Sequence, residues 1–368
     1  MSFKNGMNPE AKRFGNGVKF ISVMDILNNQ FIYYDNIRAS VEIADGDLDT
    51  YGVKYGDILF QRSSETLEDV GQANVYLDSK PAVSGGFVIR GKSKGNYNPL
   101  FFRYLLTSPT VRKRVIVKGA GAQHFNIGQD GLSKVCIDIP CIKEQEKIAR
   151  LLALLDERIA TQNKIIEDLK KLKSAIIEME YGNMAKSISH IGDFIEQTSK
   201  RNKDSAILNV LSVSNSQGFI QQSEQFENRI VASDDTSNYK IVARNDFAFN
   251  PARINVGSIA RLTTFERGIV SPMYICFRTK NNLFPEYLDY FFESKRFFAE
   301  IQKRLEGSVR QCLSFEGLCN IPLCIPTVEV QQQIGKRLST LAKEIKLEID
   351  FLELLQRQKR FLLHQMFI

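Results

Sequence analysis

The sequence predicts an α+β fold: two mixed α/β domains in a pseudo-two-fold tandem repeat, separated by two long antiparallel coiled-coil helices. Three observations carry that expectation. Segments 186 residues apart match in order. Each half holds short strand-like runs and one helix that starts with proline. Each half then closes on a long stretch whose apolar residues recur at alternating steps of three and four. The expected divisions are a first domain over 1–141, a central long helix over 142–182, a second domain over 183–327 and a second long helix over 328–368.

The repeat is read directly from the residues. NPLFFRYLLTS from Asn98 aligns with FPEYLDYFFES from Phe284, placing Pro99 on Pro285, Tyr104 on Tyr290 and Ser108 on Ser294. GLSKVCIDIP from Gly131 aligns with GLCNIPLCIP from Gly317. Upstream, with small insertions, VSGGFVI from Val83 pairs with VSPMYIC from Val270, and GDILF from Gly56 with NDFAF from Asn245. In the first domain VKFISV, ILFQR, ANVYL and GGFVIR read as strands, because Gly, Asp, Asn and Ser bound them. One helix is expected from about Pro99 to Lys113. In the second, AILNVLSVS, DFAFN, GSIARL and MYICFR read as strands, and the helix runs from about Pro285 to Arg304.

The long helices carry a heptad seam. In the first it passes through positions 148, 152, 155, 159, 162, 166, 169, 173 and 176, all apolar except Gln162 and Lys173. The second repeats it, with Glu348 and Lys359 in the same two slots. An antiparallel pair centred near residues 167–168 sets Lys173 against Glu348 and Gln162 against Lys359, polar contacts of the kind that fix register. Some 38 residues of helix span roughly 55–60 Å. Such a rod separates the two domains by somewhat more than one turn of duplex DNA, about 34 Å.

Bulk composition narrows the class. With 368 residues the chain has material for two or more cores, and 43% apolar with 25% charged residues is ordinary for a globular chain. The opening MSFKNGMNPEAKRF has no apolar stretch of secretory type, and no run of about 18 apolar residues exists, so a cytoplasmic location is expected. The six cysteines then read as reduced thiols. A net charge of +7 favours a polyanionic partner.

Catalytic motifs fail one by one. An adenine methyltransferase needs an Asn/Asp-Pro-Pro-aromatic loop; NPLF at Asn98 falls short, and its repeat FPEY keeps only the proline, which marks a helix start. SGGF at Ser84 is matched by SPMY, which has no glycine, and KGAGAQ at Lys118 lacks the Gly-Lys-Ser/Thr ending of a phosphate loop. The histidines are His124, His190 and His364, and Cys312, Cys319 and Cys324 lack zinc spacing. No catalytic residue, metal site or cofactor is expected in this chain.

Polar and basic loops fit nucleic acid better. Arg62, Ser63, Gln72 and Asn74 lie between strands of the first domain; Asn250, Arg253, Asn255, Ser258 and Arg261 lie in the matching stretch of the second. Arg and Asn/Gln carry paired donors and acceptors that match guanine and adenine edges. Arg112, Lys113, Arg114 and Lys118 are placed to meet phosphates, ahead of Gln123, His124 and Asn126 in a turn. The second copy offers Lys303, Arg304, Arg310 and Gln311.

Along nearly its whole length the sequence resembles the DNA-specificity (S) subunit of type I restriction-modification systems. IDIPCIKEQEKIARLLALLDERI is similar to that family's Ile-Pro, Glu-Gln, Ile/Leu-heptad motif; LCIPTVEVQQQIGKRLSTLAKEI repeats it with Val330 in place of the Glu. GVKFISVMDI at Gly17 and YGDILFQRS at Tyr55 look like strands of a first target-recognition domain, and HIGDFIEQTSKRNK opens a second. The first half has no counterpart of SISHIGD, which leaves open whether its domain is a strand short. The resemblance implies a non-catalytic subunit in which each domain reads half of a bipartite double-stranded DNA target and the helix pair sets the gap. It also implies docking by two adenine methyltransferase subunits and by motor-nuclease restriction subunits, with S-adenosylmethionine, ATP and magnesium used in those partners. A stand-alone DNA-modifying enzyme with an unrecognised site and a non-DNA coiled-coil adaptor are the alternative readings.

Overall fold

The computed structural model describes residues 1–182, 189–215, 217–222, 235–307 and 311–367. The chain divides into two units, one of residues 1–163 with 350–368 and one of residues 164–349. In the first unit an antiparallel sheet is ordered Ser2–Asn5, Val88–Lys92, Ile58–Gln61, Ala73–Val75. A second sheet is ordered Ala39–Val41, Phe14–Ile21, Ala82–Ser84, Gly52–Val53, and its central pair is parallel.

The second unit has both sheets in the same order. One runs Ile195–Thr198, Ile275–Thr279, Phe247–Phe249, Ile259–Arg261; the other runs Gly218–Gln221, Val210–Ser214, Arg267–Val270, Lys240–Ala243, again with a parallel central pair. Ser2–Asn5 holds the edge that Ile195–Thr198 holds, so the first unit's sheet is complete without a counterpart of SISHIGD. Even the turns agree. Gly56 and Asn245 both take positive φ, 88° and 70°, where Gly and Asn carry the smallest steric penalty. The next residue in each, Asp57 or Asp246, is buried and accepts a backbone N–H from Lys54 or Ala243 at 3.0 and 2.9 Å. Burial raises both carboxyl pKa values, and those hydrogen bonds pull them back down.

The helix expected from Pro99 to Lys113 is two helices, Pro99–Thr107 and Pro109–Ile116. Ser108 separates them: its hydroxyl donates to Leu105 O at 2.7 Å and accepts from Val111 N, while Pro109 has no N–H to continue the ladder. The second unit divides likewise into Pro285–Phe291 and Lys295–Gln302, with Ser294 making the same two bonds. Asn98 caps the first of these helices, its side chain accepting from Phe101 N at 2.9 Å.

Two buried glutamines tie these helices to the long ones. Gln145 Oε1 accepts from Asn98 N at 2.9 Å and its amide donates to Pro140 O at 2.8 Å. Gln331 accepts from Phe284 N at 2.7 Å and donates to Pro326 O and Asn282 O at 2.9 and 3.1 Å. This accounts for the Glu-Gln pair of the family motif. The Gln is the staple, whereas Glu144 and Val330 are exposed, so Val330 in the Glu position leaves the joint intact.

The long helices are Ile142–Tyr181 and Val328–Met366. No seam position is exposed in either. The first unit's core takes Ala149 and Leu152 from the start of the first helix, Leu362 and Leu363 from the late part of the second, and Phe367 just beyond its end. The second unit's core takes Ile177 and Tyr181 from one helix and Ile334 and Leu338 from the other. Phe367 and Tyr181 occupy equivalent places. Phe367 meets the Phe101 ring at 5.5 Å, and Tyr181 meets Tyr287 at 5.0 Å and donates its hydroxyl to Tyr287 O at 2.8 Å.

Within the first unit the two helices run antiparallel, since Asp156 meets Lys359 and Arg158 lies over the Phe351 ring. The two seam lysines also find partners outside the expected polar slots: Lys359 pairs with Asp156 at 2.5 Å and Lys173 with Glu293 at 2.7 Å. The reason lies beyond the seam. Both lysines reach a domain tyrosine, with Lys359 6.0 Å from the Tyr104 ring and Lys173 5.2 Å from the Tyr290 ring. Asp156 also accepts the Tyr104 hydroxyl at 2.8 Å. No described helix is long and apolar enough to cross a membrane.

Candidate nucleic-acid interface

In the first unit, strand chemistry gathers five of the expected residues. Ser63–Ser64 pairs antiparallel with Phe125–Asn126, and Ile127 N donates to Arg62 O at 2.9 Å. Ala120 and Asn126 exchange backbone bonds of 2.9 and 2.8 Å, closing a hairpin over 121–124. Gly121 has φ +147°, and a Cβ there would stand 2.0 Å from His124 O, so only glycine fits. Gln123 and His124 are exposed at the tip. Beneath it, Ser63 Oγ donates to Asn126 Oδ1 at 2.5 Å. Arg62 has its backbone pinned to Phe87 O at 2.9 Å, while its guanidinium makes only a 3.4 Å contact to Gly86 O. Lys113 and Lys118 are exposed on the same chain segment as the hairpin.

The second unit contains the same clasp. Glu306 and Cys312 exchange bonds of 2.9 and 2.8 Å, Gly307 has φ +105°, and Leu313 N donates to Pro251 O at 3.0 Å. Arg310 lies outside the described residues; Gln311 is exposed beside the closing pair. Arg253 is exposed and Asn255 half-buried, on the loop that follows Pro251.

Several residues expected to contact DNA are instead tied into the fold. Asn74 is buried, and its amide donates to Ile26 O and Asn29 O at 3.0 and 2.7 Å. Arg112 is held by Glu68 O and Val70 O at 2.7 and 2.9 Å, so it braces a loop; burial lowers its pKa. Gln72 commits its amide N–H to Asp69 at 2.8 Å. Asn250 is buried and accepts from Ala252 N at 3.1 Å, and buried Ser258 donates to Val213 O at 3.3 Å. Arg261 is locked between Asp289 and Glu286 at 3.0 and 3.3 Å, and Arg304 is paired with Glu300 at 2.5 Å. These groups are tied into the fold by the bonds named, which leaves them poorly placed to reach a base edge.

Other chemistry is not gathered. Among the described residues no group of His, Cys, Asp and Glu converges as metal ligands do. Cys276 is buried, with its thiol pushed up to about 12 by desolvation, which makes it a poor nucleophile. Two units of one topology, each with a polar clasp at a strand end, thus define a tandem recognition scaffold.

A family profile for the type I restriction modification DNA specificity domain matches residues 3–171 and again 186–357. The chain belongs to that family and carries two copies of the domain. A curated relative from Methanocaldococcus jannaschii, provisionally named type I restriction enzyme MjaX specificity subunit, is 29% identical over 147 residues, 37% of this chain. The match spans about a third (33%) of that relative's length. The fold is that of the type I restriction-modification system S subunit from M. genitalium, at 16% identity and a TM-score of 0.57, covering 100% of this chain and 93% of that one. A chain from a structure concerning complex assembly and conformational transition of the type I R-M system is similar at 12% identity and a TM-score of 0.52, covering 92% of each.

Proposed function

We propose that this chain is the non-catalytic specificity subunit of a type I restriction-modification complex, with each unit reading one half of a bipartite duplex target. The observation that carries the reading is the repeated clasp: the same closing pair of backbone bonds, positive-φ glycine and backbone tie recur in both units. Phosphate contacts position a protein on DNA, and groove-reaching polar side chains specify sequence. Arg62, Gln123, His124 and Asn126 in one unit, and Arg253, Asn255 and Gln311 in the other, are the side chains assigned to base edges. The long helices set the unread gap.

Partner subunits supply the chemistry on this reading: two adenine methyltransferase copies using S-adenosylmethionine, and motor-nuclease subunits using ATP and magnesium. Apolar rows on the helices support such docking. Ile165, Leu172 and Met179 on the first, and Leu347, Leu354 and Phe361 on the second, recur every seventh residue off the seam and are each at least 40% exposed. Exposed apolar rows of this kind mark surfaces that partners cover.

Mapping methylated adenines in DNA of cells carrying the complex tests the proposal. The expected result is a split motif. Arg62→Ala and Arg253→Ala should each relax one half of it, by about 1–3 kcal/mol for each lost bidentate contact. A contiguous motif, or variants that weaken both halves equally, would overturn the assignment.

A further inference from the structure

We infer that a basic cleft in the second unit seats the phosphate backbone of duplex DNA, supplying affinity without sequence preference; this rests on the reading of the chain as a DNA-binding subunit. Lys200, Arg201, Lys203 and Arg267 line one cleft of about 720 Å³, backed by Ile207 and Ile241. Asp204 is the carboxylate in that lining, and it accepts from Ala206 N at 3.4 Å. Arg201 donates to the neutral Asn238 side chain at 2.8 Å. Among the described residues no ion pair reaches Lys200, Lys203 or Arg267, and Glu266, next in sequence to Arg267, is already paired with Arg244 at 2.8 Å.

The cations sit on braced backbone. Ile241 N donates to Lys200 O at 2.8 Å, Asn202 N donates to Tyr239 O at 3.0 Å, and the buried Asn202 side chain donates to Ile207 O at 2.9 Å. Asn202 turned inward leaves its exposed neighbours Arg201 and Lys203 on the outer side, where the chain turns and Ser205 N donates to Asn202 O at 2.9 Å. Four cations gathered around one carboxylate repel one another in the free chain, and a polyanion relieves that repulsion while fixed charges need little reordering to meet it. A duplex presents a phosphate about every 3.4 Å along each strand, which suits an open cleft with several cations better than a single small anion does.

The first unit lacks this feature. After its edge strand Ser2–Asn5 come Lys12 and Arg13, but Lys12 pairs with Glu10 and Arg13 with Asp47, both at 2.7 Å. The cations of the second unit are legible in the sequence as SKRNK, yet sequence alone shows no pairing state.

The test uses the full chain, a fluorescent random-sequence duplex and anisotropy titrations across potassium chloride concentrations. Lys200→Gln, Lys203→Gln and Arg267→Gln combined should make the log–log salt slope shallower by about 2–3, at about 0.9 for each charge removed. The methylated motif of the assembled complex should stay the same. Lys12→Gln with Arg13→Gln should leave the slope unchanged. Should the triple variant fail to melt cooperatively, Lys203→Gln alone still predicts a shift of about 0.9. A variant with the wild-type slope overturns the inference, and weakened capture of the methyltransferase at an unchanged slope reassigns the cleft to an acidic protein surface. A variant that alters the motif makes the cleft a base reader instead. Wild-type chain with no salt-dependent DNA binding would overturn the DNA-binding reading itself, and this inference with it.

Discussion

The two units share their joints and differ in their charges. Gln145 and Gln331, Ser108 and Ser294, and Tyr181 and Phe367 stand at equivalent positions and make equivalent contacts. Cations do not follow this rule. Lys12 and Arg13 are ion-paired in the first unit, while among the described residues no ion pair reaches Lys200 or Lys203 in the second. Buried hydrogen bonds and ring packing hold a topology in place, so both copies need them. Surface charge answers to what each unit binds, and it is free to diverge.

The aromatic anchors break the comparison hardest. Tyr181→Ala should destabilise the second unit by about 4 kcal/mol, and Phe367→Ala the first by about 3 kcal/mol, as large ring-to-methyl truncations do. Hydrogen exchange resolved by peptide should show loss of protection confined to the affected unit; equal loss in both would mean the cores are not independent. Tyr181→Phe isolates the hydroxyl bond to Tyr287 O and should cost about 1 kcal/mol.

The glutamine staples come next. Gln331→Ala strands one donor and two acceptors, Gln145→Ala one of each, so costs of about 3 and about 2 kcal/mol are expected in urea unfolding. A reversed order would show that the third bond contributes nothing. The lysine seats sharpen the comparison most finely. Asp156→Ala leaves the half-buried Lys359 and the Tyr104 hydroxyl without their acceptor and should cost about 2 kcal/mol. Glu293 is exposed, and Glu293→Ala should cost under about 0.5 kcal/mol. Matched costs in a thermal melt would mean both seats are equally dry.

Periodic features were legible in the sequence because they repeat. The seam positions, the strand runs and the tandem order all follow from spacing that one local exception cannot hide. The ion-pair partners of the seam lysines were not, because a lysine on a seam can reach a carboxylate outside the helix pair, as Lys173 does with Glu293. The helix break was visible as Ser-Pro at 108–109 and was outweighed by apolar spacing running through it. In the candidate interface, Gln123, His124 and Arg253 are exposed and Arg62 is half-buried, whereas Asn74 and Arg261 are tied into the fold. Asn74 follows an alternation rule that assumes one wet face, yet Ala73, Asn74 and Val75 are all buried. Arg261 is captured by Glu286 and Asp289, carboxylates one helical turn apart on an element distant in sequence.

The division of the chain also shapes how it is born. The first unit joins residues 1–163 to residues from Asp350 onward. Its opening segment leaves the ribosome early, but Phe367 and the helix behind it arrive only after the entire second unit has been made. Until then the Phe101 ring lacks its Phe367 partner, and the first unit's core waits on a segment that has yet to be translated.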